Sequence, residues 1–322
     1  MKLGTNIEAG IQLTELVEVV REAERLGYQR CWIPDEGIFH RDVYVALALA
    51  AEQTHSILLG TGITNPYIRH PAITAAAIAT IQELSSGRAF LGISAGGSVT
   101  LNPLGIIPVK PLQAVREMIN LSRSLLRGET VSAQGTFFVL NCASIQYATK
   151  PVEIWLAARG NKMLKLGGEL ADGVLLGPMH KSFIGEYVKT VQDGARLTGN
   201  KPKLCYSVSI IQDEKAFNDF RSHMSYNIAD SPPAIQEALN IPEKVLQDLR
   251  KSLINDGPYE AGKLLKDEWV LPFMISGSAA ECKAEITGIV ERYHFDELMI
   301  SIPSPKPEPE ELARISAMLL DA

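Results

Sequence analysis

Lys2-Leu3-Gly4-Thr5-Asn6-Ile7, then Leu13 to Leu26, then Arg30-Cys31-Trp32-Ile33-Pro34 form a β-rich run, a helical run and a second β-rich run in succession. In the helical run Leu16, Val19, Val20, Ala23 and Leu26 fall on one face, and Glu15, Glu18, Glu22 and Arg25 on the other. That spacing is the period of a helix burying one apolar stripe against a sheet. The unit then repeats. Further β-rich runs lie at 57–62, 89–94, 154–157, 173–176, 204–210 and 297–302, which with the first two makes eight. Further helical runs lie at 43–54, 71–84, 111–126, 162–170, 181–197, 279–293 and 309–320. Eight strands alternating with eight helices imply an α/β protein built as a parallel, closed (β/α)8 TIM barrel. An open, doubly wound sheet has the same alternation, so closure is undecided at this level.

Two segments interrupt the rhythm. Thr130-Val131 and Phe137 to Val139 flank Gln134-Gly135, a pattern that predicts a small antiparallel hairpin outside the barrel. After the seventh strand, at about 212–272, the chain reads as a helical insertion punctuated by Ser231-Pro232-Pro233, Ile241-Pro242 and Gly257-Pro258. Ser304-Pro305-Lys306-Pro307-Glu308-Pro309 reads as a stiff polar connection into the last helix. With no internal repeat, residues 1–322 are expected to form one domain.

Composition narrows the function. Thirty-one basic against thirty-seven acidic residues give a net charge of -6, and no basic cluster interleaves with aromatics, so nucleic acid is not an expected partner. No apolar run is long enough for a membrane span and no secretory h-region opens the chain, so a cytoplasmic protein is expected. Cys31, Cys142, Cys205 and Cys282 are far apart and form no C-x-x-C pair, and the six histidines show no ligand spacing. Free thiols and no metal site are therefore expected.

In a TIM barrel the chemistry lies past the C-terminal strand ends. Strand two ends in Pro34-Asp35-Glu36-Gly37, adjacent acids suited either to proton transfer or to holding a cofactor edge, or else a turn cap and a solvated carboxylate. Strand three runs into Gly60-Thr61-Gly62-Ile63-Thr64-Asn65-Pro66-Tyr67, where glycine marks either a bulge, with close backbone approach to a ligand, or a barrel corner. Strand four is followed by Ser94-Ala95-Gly96-Gly97-Ser98. Strand five is followed by Ala158-Arg159-Gly160-Asn161, which combines small residues, an arginine and a helix start, the ingredients of a phosphate site. Gly177-Pro178-Met179 after strand six would adjoin it. No G-x-G-x-x-G fingerprint supports a nicotinamide site, no G-x-S-x-G elbow a serine hydrolase, and His40-Arg41-Asp42 lacks the surroundings of a kinase loop. That triplet reads as a helix start with Asp42 at the positive end of the dipole.

Taken together these stretches resemble the luciferase-like superfamily, and most closely the methylenetetrahydromethanopterin reductases that use the deazaflavin coenzyme F420. The resemblance is carried by Trp32-Ile33-Pro34-Asp35, Leu59 to Tyr67, His70-Pro71-Ala72, Ser86-Gly87-Arg88-Ala89, Leu104-Gly105-Ile106, Lys110-Pro111, Ala171-Asp172-Gly173-Val174 and Ile275-Ser276-Gly277, and covers nearly the whole chain. It implies a bulge with a non-prolyl cis peptide at Gly62-Ile63 behind the cofactor ring, with Asp35, Glu36, Thr64, Asn65, Gly96 and Gly97 around it. It also implies a phosphate cradle from Ala158, Arg159, Gly160 and Asn161 with Gly177, Pro178 and Met179.

Departures from the reductase pattern accompany it. Asn6 stands where those reductases carry a strand-one Glu, Gly97 where they carry an Asp, and Glu36 where related deazaflavin enzymes carry a His. The resemblance therefore implies an oxidoreductase that moves a hydride between coenzyme F420 and a small organic acceptor, with Glu36 and Asn6 as catalytic candidates in a changed substrate pocket. The alternatives are an FMN-dependent monooxygenase, and a flavin-binding barrel without turnover. Related barrels commonly pair, so a homodimer or higher homo-oligomer is expected.

Overall fold

The computed structural model describes residues 1–302 and 309–320. The predicted connection from Ser304 to Glu308 lies outside the described residues. Eight strands form the barrel: β1 (Lys2–Asn6), β2 (Arg30–Ile33), β3 (Leu58–Thr61), β4 (Ala89–Ile93), β5 (Glu153–Ala157), β6 (Gly173–Leu176), β7 (Lys203–Ile211) and β8 (Glu297–Ser301). Each is parallel to the next, and β8 closes on β1 from Lys2↔Glu297 to Asn6↔Ser301. That pairing excludes the open sheet.

The apolar stripe read in the first helix (Leu13–Arg25) is the buried face, with Leu16, Val19, Val20 and Ala23 packed between helix and sheet. A second, smaller cluster of Trp32, Phe90, Trp155, Leu175, Cys205 and Met299 fills the inside of the barrel. Its aromatic rings fit because the facing positions are glycines. A Cβ on Gly60 would lie 2.6 Å from the Phe90 ring, and one on Gly173 2.5 Å from that of Trp155. The barrel is a packed core, closed to solvent through its axis.

Below these rings Arg30, 1% exposed, donates through Nε to Glu297 Oε2 at 2.7 Å and through Nη2 to Glu153 Oε2 at 2.9 Å. Its guanidinium lies 4.4 Å from the centre of the Phe90 ring and 4.6 Å from that of Trp155. A charge this deep is tolerable only with such partners.

Helix starts follow local chemistry. The Asp42 side chain accepts from Tyr44 N and Val45 N at the start of Val43–Gln53, as its sequence setting predicts, and Ser278 and Glu281 form a capping box on Ala279–Tyr293. The prolines of the insertion open helices: Pro233–Ala238 and Pro258–Gly262 begin on one, and Pro242 precedes Glu243–Asn255.

Two details differ from the sequence reading. The hairpin pairs Val131–Gln134 with Val139–Ala143, so its turn spans residues 135–138, closed by Gly135 N donating to Phe138 O at 2.9 Å, and is longer than the Gln134-Gly135 pair suggested. A ninth parallel strand, Met274–Ser276, is added along the far end of β7 from Met274↔Ser209 to Ser276↔Ile211. β7 is nine residues long and β8 covers it only up to Val208, so the short strand pairs an edge otherwise left open. No helix among the described residues is long and apolar enough to cross a membrane. All four cysteines are free, Cys142 alone being exposed.

Candidate active site

The C-terminal strand ends carry the irregular backbone. Pairing between β3 and β4 runs from Leu59↔Ala89 to Gly60↔Phe90 and resumes at Thr64↔Ile93, so residues 61–63 oppose only 91 and 92. This is a one-residue bulge. Within it the Gly62-Ile63 peptide is cis, at the position the resemblance implies. Glycine is required at 62 because a Cβ there would sit 2.5 Å from Trp32 Cβ.

Beyond the bulge, Thr64 Oγ1 donates to Asp35 Oδ2 at 2.7 Å. Burial pushes the Asp35 carboxyl above its ordinary range, and the Thr64 hydroxyl pulls it back part of the way. Asn65 Oδ1 accepts from Tyr67 N and Ile68 N at 3.0 and 3.3 Å, so it closes its own turn. Gly96 holds φ +80° and Gly97 precedes the short helix Ser98–Leu101. Asn6, at the end of β1, is buried, and its Oδ1 has no hydrogen-bond partner among the described residues.

A cavity of about 500 Å³ opens between the barrel mouth and the helix Glu214–Ala229 of the insertion. Glu8, Glu36, His40, Gly97, Arg159 and Tyr226 are among its walls. Thr100 Oγ1 donates to Glu36 Oε2 at 2.5 Å, yet burial still raises the Glu36 carboxyl. Glu8, just beyond β1, is pushed up to about 7, first by burial and then by the negative charge of Glu36. Sequence reasoning missed Glu8 and Tyr226. Glu8 was within reach, since it lies two residues past the end of β1; Tyr226 arrives from a helix whose docking no local pattern encodes.

Arg159 also borders a second cavity of about 430 Å³, with Gly160, Asn161, Lys162, Tyr187 and Pro232. The helix Asn161–Leu170 starts there without a side-chain cap on Gly160, leaving backbone N–H groups of its first turn directed outward. Arg159 Nη1 donates to Asn227 O and Oδ1, both at 3.0 Å. These acceptors are neutral, so burial works against its charge, with the negative charge of Asp230 the larger counterweight. β5 and β6 are neighbours, as the phosphate reading needs, and Ala158 N donates to Leu175 O at 3.3 Å. Gly177, Pro178 and Met179 line neither cavity: Gly177 packs on Ser207, the Gly177-Pro178 bond is cis, and Met179 is buried.

The chain is similar to known proteins in sequence and in fold. Residues 1–295 match the sequence profile of a family described as luciferase-like monooxygenase. The chain is 36% identical over 290 residues to a 5,10-methylenetetrahydromethanopterin reductase of Archaeoglobus fulgidus, covering 86% of each chain. It is 32% identical over 300 residues to the enzyme of that name from Methanolobus tindarius, covering 90% of this chain and 91% of the other. The solved structure of a coenzyme F420 dependent tetrahydromethanopterin reductase from Methanopyrus kandleri superposes with a TM-score of 0.86 at 23% identity, over 99% of this chain and 98% of that one.

Proposed function

The chain belongs to the luciferase-like monooxygenase family, and from that premise we propose that it is an oxidoreductase that uses coenzyme F420 to move a hydride to or from a small organic acceptor. The observation that carries the reading is the pair of adjoining cavities that share Arg159. One offers an arginine, Lys162 and an uncapped helix start to a phosphate-bearing tail; the other offers carboxyl groups and a tyrosine to the reacting end. The orphaned Asn6 Oδ1 at the barrel mouth is a further acceptor awaiting a donor. These residues fit a cofactor with a polar ring and an anionic tail.

When bound, the reduced deazaflavin supplies the hydride. The chain's part is geometric and electrostatic. The bulge at Gly62-Ile63 and the Asp35–Thr64 hydrogen bond hold the ring's support in one conformation. Arg159, Gly160 and Asn161 hold the phosphate, with Gly177, Pro178 and Met179 shaping the neighbouring loop, and Asn65, Gly96 and Gly97 edging the ring. Glu36 takes part in moving the proton, with Asn6 as a hydrogen-bond partner.

We propose further that two copies pair through the helices Val43–Gln53 and Pro71–Leu84. Both are apolar on their outward sides, where Val45, Leu49 and Ile73 are 49%, 42% and 57% exposed.

The test is titration of the purified protein with coenzyme F420 and with FMN, followed by assay of reduced F420 oxidation with 5,10-methylenetetrahydromethanopterin. Tight F420 binding and turnover support the reading. Tight FMN binding with oxygen consumption would replace it with the monooxygenase reading, and binding of either without any turnover with a non-catalytic barrel.

A further inference from the structure

Glu8 and Glu36 leave different strand ends, past β1 and β2, and both reach the 500 Å³ cavity. Among the described residues Glu36 makes no ion pair, and the cationic neighbour of Glu8 is His40, whose Nε2 lies 3.9 Å from Glu8 Oε2. Burial and the adjacent Arg41 lower the His40 pKa, so at neutral pH the imidazole is uncharged and does not neutralise Glu8. The remaining titratable or charged groups around the pair are Asp35, whose charge raises the Glu36 carboxyl, Arg159 from the β5 loop, Asp219, His223, Tyr226 and Asp230 from the insertion, and Tyr259 from the helix Pro258–Gly262. Arg159 is held by Asn227, and Asp230 Oδ2 accepts from Ser98 N and Oγ at 3.2 and 2.8 Å. Neither Glu8 nor Glu36 therefore has a committed cation.

We propose that Glu8 and Glu36 form a carboxyl pair that holds one proton at neutral pH, carried by Glu8, and that Glu8 delivers it to the heteroatom of the acceptor bound in this cavity. The proposal rests on the oxidoreductase reading above. The asymmetry of the pair follows from its hydrogen bonds. The Thr100 hydroxyl donates to Glu36 and favours its ionised form, whereas no donor among the described residues reaches the Glu8 carboxyl. Two carboxylates facing one cavity cannot both ionise cheaply, so the one without a donor keeps the proton. Burial and the charge of Glu36, which push the Glu8 carboxyl up to about 7, act in the same direction.

The step balances. As the hydride adds to the electrophilic carbon of the acceptor, the carbon–heteroatom bond that breaks, the π bond of an imine or carbonyl or one C–N bond of a methylene bridge, leaves its electron pair on the nitrogen or oxygen. The Glu8 O–H bond breaks and its proton bonds to that atom. The acceptor is reduced by two electrons, the cofactor is oxidised by two, and Glu8 recovers its proton from water.

The experiment begins with cofactor-free protein labelled with carbon-13 at the glutamate carboxyl, titrated by NMR. The Glu8 resonance is the one absent in Glu8→Gln. It is expected to titrate near pH 7 and to move down by about one unit in Glu36→Gln, since the repelling charge is gone. A midpoint near the ordinary 4.5, or one unmoved in Glu36→Gln, overturns the pair. The second arm assays reduced F420 and 5,10-methylenetetrahydromethanopterin across pH. Glu8→Gln is expected to lower kcat about 10²–10⁴-fold and to remove the fall in rate above neutral pH, with Glu8→Asp recovering part of the loss. An unchanged kcat and pH profile in Glu8→Gln overturns the proton delivery. Absence of turnover in the parent protein would sink the oxidoreductase reading and the delivery step with it, and the titration would then decide the pair by itself.

Discussion

Thr64 Oγ1 donates a 2.7 Å hydrogen bond to Asp35 Oδ2, tying the residue that leaves the β3 bulge to the carboxyl group that follows β2. Thr64 is fully buried and Asp35 largely so, which makes the bond costly to break. Thr64→Val keeps the shape and removes the donor. It should lower the unfolding free energy by about 1–3 kcal/mol, read by denaturant titration, and raise the Asp35 pKa further, since the lost bond is one that held it down. Equal stability in the two proteins would reduce the pair to a passive contact.

Glu297 is the closer partner of buried Arg30, and Glu297→Ala leaves that guanidinium without its two-pronged acceptor. A loss of about 3–5 kcal/mol is expected in chemical denaturation. Glu153 shares the network: burial raises its carboxyl, but Lys203, Trp155 and Arg30 outweigh this and bring it down to about 2. A depressed carboxyl stabilises the fold above its unfolded value of 4.5 and loses that contribution as pH falls towards 2. Parent and Glu153→Gln proteins should therefore differ in stability at pH 6 and converge at pH 2. A difference that persists at the acid end would refute the linkage.

For Glu8 the sign is reversed. Its folded-state value, about 7, lies above the ordinary 4.5, so the folded state binds the proton more tightly than the unfolded chain does. The residue becomes destabilising as pH rises from 4.5 through 7. Glu8→Gln should accordingly be more stable than the parent at pH 8, by about 1–3 kcal/mol, and the gain should vanish near pH 4. Thermal melts at the two pH values decide it.

Arg159→Ala tests the proposed phosphate contact. Coenzyme F420 affinity should fall about 10- to 100-fold, the worth of a charge-assisted hydrogen bond or two, with unfolding free energy changed by less than about 1 kcal/mol. Isothermal titration that finds the affinity unaltered would remove Arg159 from the site.

Leu49→Glu places a charge on the outward face of the helix Val43–Gln53, 42% exposed in the single chain. Sedimentation should find the variant shifted from dimer to monomer. A parent that sediments as a monomer, or a variant that still pairs, would rule out this face.

The chain of strand, helix and strand was legible because helices such as Leu13–Arg25 show an apolar stripe and the strands are short apolar runs between breakers, patterns that local sequence must carry for burial to occur. The bulge was legible through the glycines at 60 and 62 and the family resemblance, and the cis bond stands where that resemblance put it. Other features were hidden. The short strand Met274–Ser276 exists because β7 outruns β8, a length mismatch visible only after pairing. Closure of the sheet, from Lys2↔Glu297 onward, joins residues almost three hundred apart.

The approach of Glu8 to Glu36, and of both to Tyr226 from the insertion, likewise depends on how distant segments dock. By itself, then, the sequence determined the elements, their order and the loops that crown the strands, since those depend on neighbours along the chain. Only the tertiary structure decided which crown residues share a cavity and what their pKa values become, because burial and electrostatic coupling are properties of space rather than of sequence distance.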